Sequence, residues 1–199
     1  MKRQKEGVTE KILLSAQKEF LEYGFMNASL RRISLASGVS TNSIYTRFND
    51  KAGLFEALVK EPSEKMIQVY LNSLNAVENC KNYDEIITTG SQGTDDVLNC
   101  IYQNFTAFQL IFCCSSGTKY EKFLDRLAEI EEKIYRDYIK QILGEQIKVD
   151  DFFIHAICSS SCLPLYEVVS HNLSFEEAKR FMELEEKYHY AGWKAVLGL

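Results

Sequence analysis

Apolar residues in this chain recur three and four positions apart almost from end to end, and no stretch alternates strictly between apolar and polar. The first period lines one face of an α-helix, the second one face of a strand. A chain carrying only the first is expected to be all-α, and eight or nine helices account for its 199 residues. With 46% hydrophobic residues and only two prolines, it has the side chains to bury a core and few helix breakers.

The first helix is expected from about Thr9 to Tyr23, with Ile12, Ala16 and Phe20 on one stripe, Leu13 and Leu21 beside them, and Gly24 ending it. Ser29 can cap a short second helix, Leu30 to about Ser37, closed by Gly38. Ser40 can cap a third, to about Phe48, and Asp50 a fourth that begins at Lys51 and runs toward Val77. Pro62 inside it removes a hydrogen bond to Leu58, so a kink or break is expected there. A helix somewhere in 78–90 and a loop at TTGSQGTDD, residues 88–96, come next. Helices over about 95–114, 119–143, 151–171 and 175–197 follow, with Pro164 bending the third of these. Thr118 with Glu121, and Ser174 with Glu177, have capping-box spacing.

Charge is unevenly spread. Residues 1–51 hold nine Lys/Arg and five Asp/Glu, a balance of +4, while the rest of the chain carries −9. A basic first quarter on an acidic body points to one region that meets a polyanion. The opening MKRQKEGVTEK lacks the apolar run of a secretory signal, and FTAFQLIFCC, 105–114, is far shorter than the ~20 residues that span a bilayer. A cytoplasmic protein with no membrane partner is expected. The six cysteines include no C-x-x-C pair and read as reduced, buried thiols.

Within the basic quarter, GVSTNSIYTRFNDK, 38–51, is the least core-like stretch that still reads as helix. The second and third helices, joined by Ser37-Gly38-Val39, have helix-turn-helix dimensions. Ile33 and Ile44 can point into the wedge, Val39 fills the turn, the small Ser34 admits the third helix, and Phe48 and Leu54 anchor the unit to the first helix. Thr41, Asn42, Ser43, Thr46 and Arg47 are then left facing outward. A narrow polar helix between apolar anchors suits the DNA major groove, where donors and acceptors must reach base edges. Ser40, Thr41 and Ser43 stand at its N-terminal end, where free N–H groups favour a phosphate. Tyr45 can donate its hydroxyl to a phosphate, and Lys51 is badly placed for the dipole of its own helix but well placed for a phosphate.

The stretch GFMNASLRRISLASGVSTNSIYTRFNDKAGLF, 24–55, resembles the DNA-binding signature of TetR-type bacterial transcriptional repressors. The resemblance is carried by Gly24-Phe25, Ser29, Ile33, Gly38-Val39-Ser40, Ile44-Tyr45, Phe48, Lys51 and Leu54-Phe55, about a quarter of the chain. Ser34 stands where alanine is usual, and Asn42 where glycine or alanine is common; an asparagine there can bond two edges of an adenine or simply be a polar surface residue. The resemblance implies a DNA-binding domain over 1–51 and a ligand-binding and dimerisation domain over 52–199. It further implies a homodimer through the two C-terminal helices, on a near-palindromic operator with half-sites about 34 Å or a little more apart. Ser29, Tyr45 and Lys51 would then contact phosphates, and Thr41, Asn42 and Ser43 would read bases.

For the effector, the aromatic stripe Tyr102, Phe105, Phe108 and Phe112, with Gln109, can be core or the wall of a mostly apolar cavity, with Tyr70, Phe123, Phe152 and His155 as further lining. His155, Cys158 and Cys162 fall at i, i+3, i+7, a spacing that can ligate zinc, although the small residues of CSSSC equally let two helices approach closely. No cofactor is expected, and no nucleophile, base and orienting group accompany one another, so an enzyme is not expected. The expected function is a ligand-responsive repressor; an activator, or a thiol- or metal-responsive regulator with the same DNA module, is the alternative.

Overall fold

The computed structural model describes residues 2–80, 82–143 and 149–198. They form ten α-helices and no strand: α1 Lys2–Asn27, α2 Leu30–Ser37, α3 Thr41–Phe48, α4 Lys51–Glu78, α5 Tyr83–Gln103, α6 Phe105–Cys113, α7 Phe123–Leu143, α8 Asp151–Ser161, α9 Leu163–Ser170 and α10 Phe175–Leu197. The all-α expectation holds. The helices gather into two compact units, one of residues 1–64 with 104–121, the other of 65–103 with 122–199. The division falls inside α4, whose residues belong to both units, and α6 belongs with the first unit.

In the first unit, Ile12, Ala16 and Phe20 of α1, Ile33 of α2, Ile44 of α3, and Leu54, Phe55 and Val59 of α4 are all fully buried. Three rings knit these helices together: Phe20 and Phe55 meet edge to face at 5.1 Å, and Phe25 and Phe55 at 5.5 Å. Gly24 does not end α1 but kinks it, at φ 69° and ψ 166°, and one more helical turn follows to Asn27. That conformation is open essentially to glycine alone. The kink turns Phe25 so that its N–H donates to the carbonyl of Cys114 at 2.8 Å, which ties the end of α6 to α1.

In the second unit, α7 packs on α8, and α10 on α5. Trp193 sits against Ile154 and Cys158, with Tyr135 stacked on it at 5.3 Å. The expected loop at 88–96 is instead the middle of α5. Its small residues serve close helix packing: a Cβ on Gly90 would collide with the Tyr190 hydroxyl, and one on Gly93 would come within 2.7 Å of Ser73 Cβ. Its polar residues reach α10 as well, through Ser91 to Glu186 at 2.8 Å and Asp95 to Lys179 at 3.2 Å. Composition reads this stretch as a turn; tertiary packing overrides it.

Two expected single helices are each divided in two. The 95–114 segment breaks at Asn104, whose φ of −135° is not helical. The 151–171 segment breaks at Cys162, where Pro164 enters the first turn of α9; lacking an N–H, it cannot continue the ladder of α8. Asp151–Ser170 is, by length and composition, apolar enough to cross a membrane, yet Ile154, Cys158, Cys162, Leu165, Val168 and Val169 are buried within the protein. The break expected at Pro62 does not occur: α4 is continuous through it, with Val59, Ser63 and Met66 buried around it. The Ser174 and Glu177 capping box forms, whereas Thr118 and Glu121 close a turn ahead of α7 rather than a helix start.

Candidate nucleic-acid interface and ligand cavity

The entry to α2 is set by a carboxylate. Glu19 on α1 is buried, and its Oε1 accepts from the Ser29 N–H at 2.8 Å and from Arg32 Nε at 2.8 Å. Arg32 also donates to the Asn27 carbonyl at 2.9 Å and lies 4.2 Å from the centre of the Tyr23 ring. The Ser29 hydroxyl accepts from the Arg32 N–H at 3.5 Å and so caps α2. Gly38, left-handed at φ 67°, closes α2. The turn is then locked from both sides: the Val39 N–H donates to the Ser34 carbonyl at 3.2 Å, and the Ser34 hydroxyl returns a bond to the Val39 carbonyl at 2.7 Å. Ser34 is therefore a fastener of the turn, which an alanine could not be.

Ser40 caps α3, accepting from the Ser43 N–H at 3.3 Å and donating to the Ser43 hydroxyl at 3.1 Å. Ile44 is the buried residue of α3, and Asn42, Tyr45, Thr46 and Arg47 are exposed, with Thr41 and Ser43 partly so. Tyr45 is 53% exposed. Thr46 and Arg47 bond back onto their own helix, to the carbonyls of Asn42 at 2.8 Å and Ser43 at 3.1 Å. Asp50 caps α4 through the Gly53 N–H at 2.7 Å. Lys51 donates to the carbonyls of Met26 and Ala28, at 3.0 and 3.1 Å, and lies 4.7 Å from the Phe25 ring centre. Its ammonium thus ties α4 to the end of α1, and one of its three N–H donors stays available for an anion. The eight residues expected at DNA are all brought to this one motif: Ser29 caps α2, Ser40 to Arg47 form α3 and its cap, and Lys51 begins α4.

The second unit holds a cavity of about 200 Å³ between α4, α5, α7, α8, α9 and α10. Tyr70, Leu74 and Val77 of α4 form one wall, and Glu131, Ile134 and Tyr135 of α7 another. Glu131 is only 6% exposed, and its Oε2 accepts from Tyr70 Oη at 3.0 Å and from the Ser161 hydroxyl. Burial pushes the Glu131 carboxyl up to about 7 despite both donors, and pushes the Tyr70 phenol well above its usual value. Opposite lies α10 with Glu186, whose Oε2 accepts from Ser91 while its Oε1 is shut off from solvent with no donor among the described residues. His189, also lining, accepts the Trp193 indole N–H on Nε2 at 2.9 Å, and burial lowers its pKa, so it is neutral.

Of the nine residues expected around a ligand, Tyr70 lines this cavity and the other eight lie elsewhere. Phe105, Phe108, Gln109 and Phe112 are on α6, in the first unit, with Phe108 fully buried and 5.6 Å from Phe112. Tyr102 donates to the Leu173 carbonyl at 2.6 Å and meets Phe175 at 5.1 Å, anchoring α5 to the start of α10. Phe123 is buried at the start of α7, Phe152 is 76% exposed, and His155 is exposed and bonded to Glu132 at 2.9 Å. The missed residue with a readable signal is Glu131, a carboxylate four residues from Leu127 and from Tyr135 on an otherwise apolar stripe.

His155, Cys158 and Cys162 do not converge: His155 faces outward and Cys158 packs on Trp193, and no group of three His, Cys, Asp or Glu among the described residues could hold a metal. Cys158 and Cys162 are both pushed up by burial, Cys162 to about 12. A redox-sensing thiol needs the opposite environment.

Residues 12–58 match the family described as bacterial regulatory proteins, tetR family. Over 58 residues the chain is 43% identical to the HTH-type transcriptional repressor Rv1474c of Mycobacterium tuberculosis, a match covering 29% of this chain and 31% of that protein. The chain thus spans about a third of the length of the curated relatives it matches. Among solved structures, a TetR-like transcriptional regulator from Rhodococcus sp. RHA1 aligns over 96% of this chain and 97% of its own, with a TM-score of 0.58 and 15% identity. FadR from Bacillus subtilis, in complex with stearoyl-CoA, aligns over 92% and 98%, with a TM-score of 0.58 and 12% identity. At such identities the structural likeness establishes architecture only.

Proposed function

We propose that residues 12–58, which match the bacterial tetR regulatory family, form a DNA-binding domain, and that the protein is a ligand-responsive, homodimeric transcriptional repressor acting in the cytoplasm. The observation that carries the reading is α3: capped by Ser40, anchored by one buried isoleucine, and polar on every outward position. Thr41, Asn42 and Ser43 read base edges, while Ser29, Ser40, Tyr45, Arg47 and Lys51 hold phosphates. Contacts of the second kind position the protein without reading sequence.

Two such modules are needed to span an inverted repeat. The surface that supports a second copy lies on the last helices, where Phe152, Leu163, Leu184 and Tyr188 are all more than half exposed. Residues of α4 belong to both units, and its second half lines the cavity with Tyr70, Leu74 and Val77. An effector that binds the cavity better in one arrangement of α4 than in another shifts the population, and operator affinity changes by that difference.

The test is selection of duplexes from a random pool, followed by sedimentation of the protein alone and on the selected duplex. The expected result is an inverted repeat with half-sites roughly one helical turn or slightly more apart, bound by a dimer. No enriched site, or a lone half-site held by a monomer, overturns the proposal.

A further inference from the structure

The chemistry of the cavity wall says which effectors it accepts. Glu78, Glu131, Glu185 and Glu186 all line it, and no lysine or arginine does among the described residues. His189 adds no positive charge, since its Nε2 is occupied as the acceptor for Trp193. Acidic residues on a protein surface are ordinarily solvated and mean little, but these stand around a half-open cavity with two unusual members. Glu131 is almost fully buried, in a cluster where the Tyr70 and Ser161 hydroxyls both point at one of its oxygens. Glu186 has one oxygen satisfied by Ser91 and the other sealed from water with no donor among the described residues. A buried acceptor without a partner is uncommon in folded proteins and calls for a group that supplies a proton-bearing atom. Tyr70, Tyr135 and Tyr190 also line the cavity, and aromatic rings attract a cation, while Leu74, Val77 and Ile134 offer the apolar remainder.

We propose that the cavity selects a protonated organic amine with an apolar body, its ammonium N–H groups donated to Glu186 and Glu131 and its hydrocarbon laid against α4 and α7. This rests on reading the second unit as the effector domain, and it names the effector's class. An anionic amphiphile, such as a fatty carboxylate or a phosphate ester, would meet four carboxylates and no cation. The raised pKa of Glu131 is consistent with the choice: an arriving ammonium favours the ionised carboxylate and expels a proton.

The test uses the full chain at pH 7.5 and three probes of one length, n-octylammonium, 1-octanol and octanoate, titrated by calorimetry. The ammonium is expected to bind at least tenfold more tightly than the alcohol, with no binding of the carboxylate. Glu186→Gln is expected to lower ammonium affinity tenfold or more while leaving the alcohol unchanged, and Glu131→Gln provides a second arm should the first variant fail to fold. Absence of ammonium binding, octanoate binding equal to it, or an undiminished ammonium preference in both variants overturns the proposal. Duplex binding is measured separately on ligand-free protein. A chain that binds DNA but no ammonium refutes the amine assignment alone; one that binds ammonium but no duplex refutes the regulator reading alone.

Discussion

Replacing Glu131 by glutamine removes one titration from a buried site and changes the side-chain volume very little. In the folded protein this carboxyl titrates near 7, against 4.5 when solvated. The folded state therefore holds its proton more tightly than the unfolded chain. The associated stability is fully present below pH 4.5 and is lost as the pH rises through 7. Between pH 5 and pH 8 the unfolded chain gains from ionisation nearly in full, while the folded chain gains only above 7. At about 1.4 kcal/mol per pKa unit, the difference is about 2–3 kcal/mol. Other groups titrate over the same range, His189 in the opposite sense because its pKa is lowered. The quantity to measure is thus the stability of Glu131→Gln minus that of the parent, from urea unfolding at several pH values. It is expected to rise by about 2–3 kcal/mol from pH 5 to pH 8. A flat difference, within about 0.5 kcal/mol, would show that Glu131 is hydrated and ionised in the folded protein, and the argument from burial would fail.

Gly24→Ala places a Cβ at a backbone geometry closed to it without any steric neighbour to blame, so stability is expected to fall by about 1–3 kcal/mol in thermal or urea unfolding; an unchanged midpoint would show that the kink relaxes freely. Tyr45→Phe should weaken binding to all duplexes alike while leaving the salt slope nearly unchanged, since its hydroxyl is neutral, whereas Thr41 and Asn42 substitutions should change which duplex is preferred. Lys51→Ala should weaken binding to all duplexes, reduce the salt slope by about one, and also lower stability by about 1 kcal/mol or more, since its ammonium bonds Met26 and Ala28; unaltered affinity and salt slope in a stable Lys51→Ala protein would remove it from the interface. Pro62→Ala restores the missing N–H in α4 and is expected to blunt ligand-induced release of DNA; equal release in both proteins would rule out a hinge at this position.

The DNA-binding unit was largely readable before any fold was known. Ser29, Ser40 and Asp50 each cap the helix that follows within three residues, and Gly38 supplies the one left-handed residue the turn requires. Such signals are local, so a single sequence carries them. Glu19 escaped notice because its partners, Ser29 and Arg32, lie ten and thirteen residues away and on another helix. The aromatic run on α6 was legible as buried but not as belonging to the first unit, since Phe108 looks the same to the sequence whichever core it enters. The GSQG stretch misled for a related reason: glycine marks a turn or a close approach, and only the presence of Tyr190 and Ser73 tells which.

Order along the chain decided the helices of the recognition motif, their caps and the outward polar face of α3, because each depends on residues within one or two turns of one another. The cavity was decided by tertiary structure alone. Tyr70, Glu131, Ser161 and Glu186 come from four helices spread over more than half the chain, and nothing in their spacing requires them to meet. Their shared environment, and with it the raised pKa of Glu131 and the unsatisfied oxygen of Glu186, exists only once α4, α7, α8 and α10 have packed.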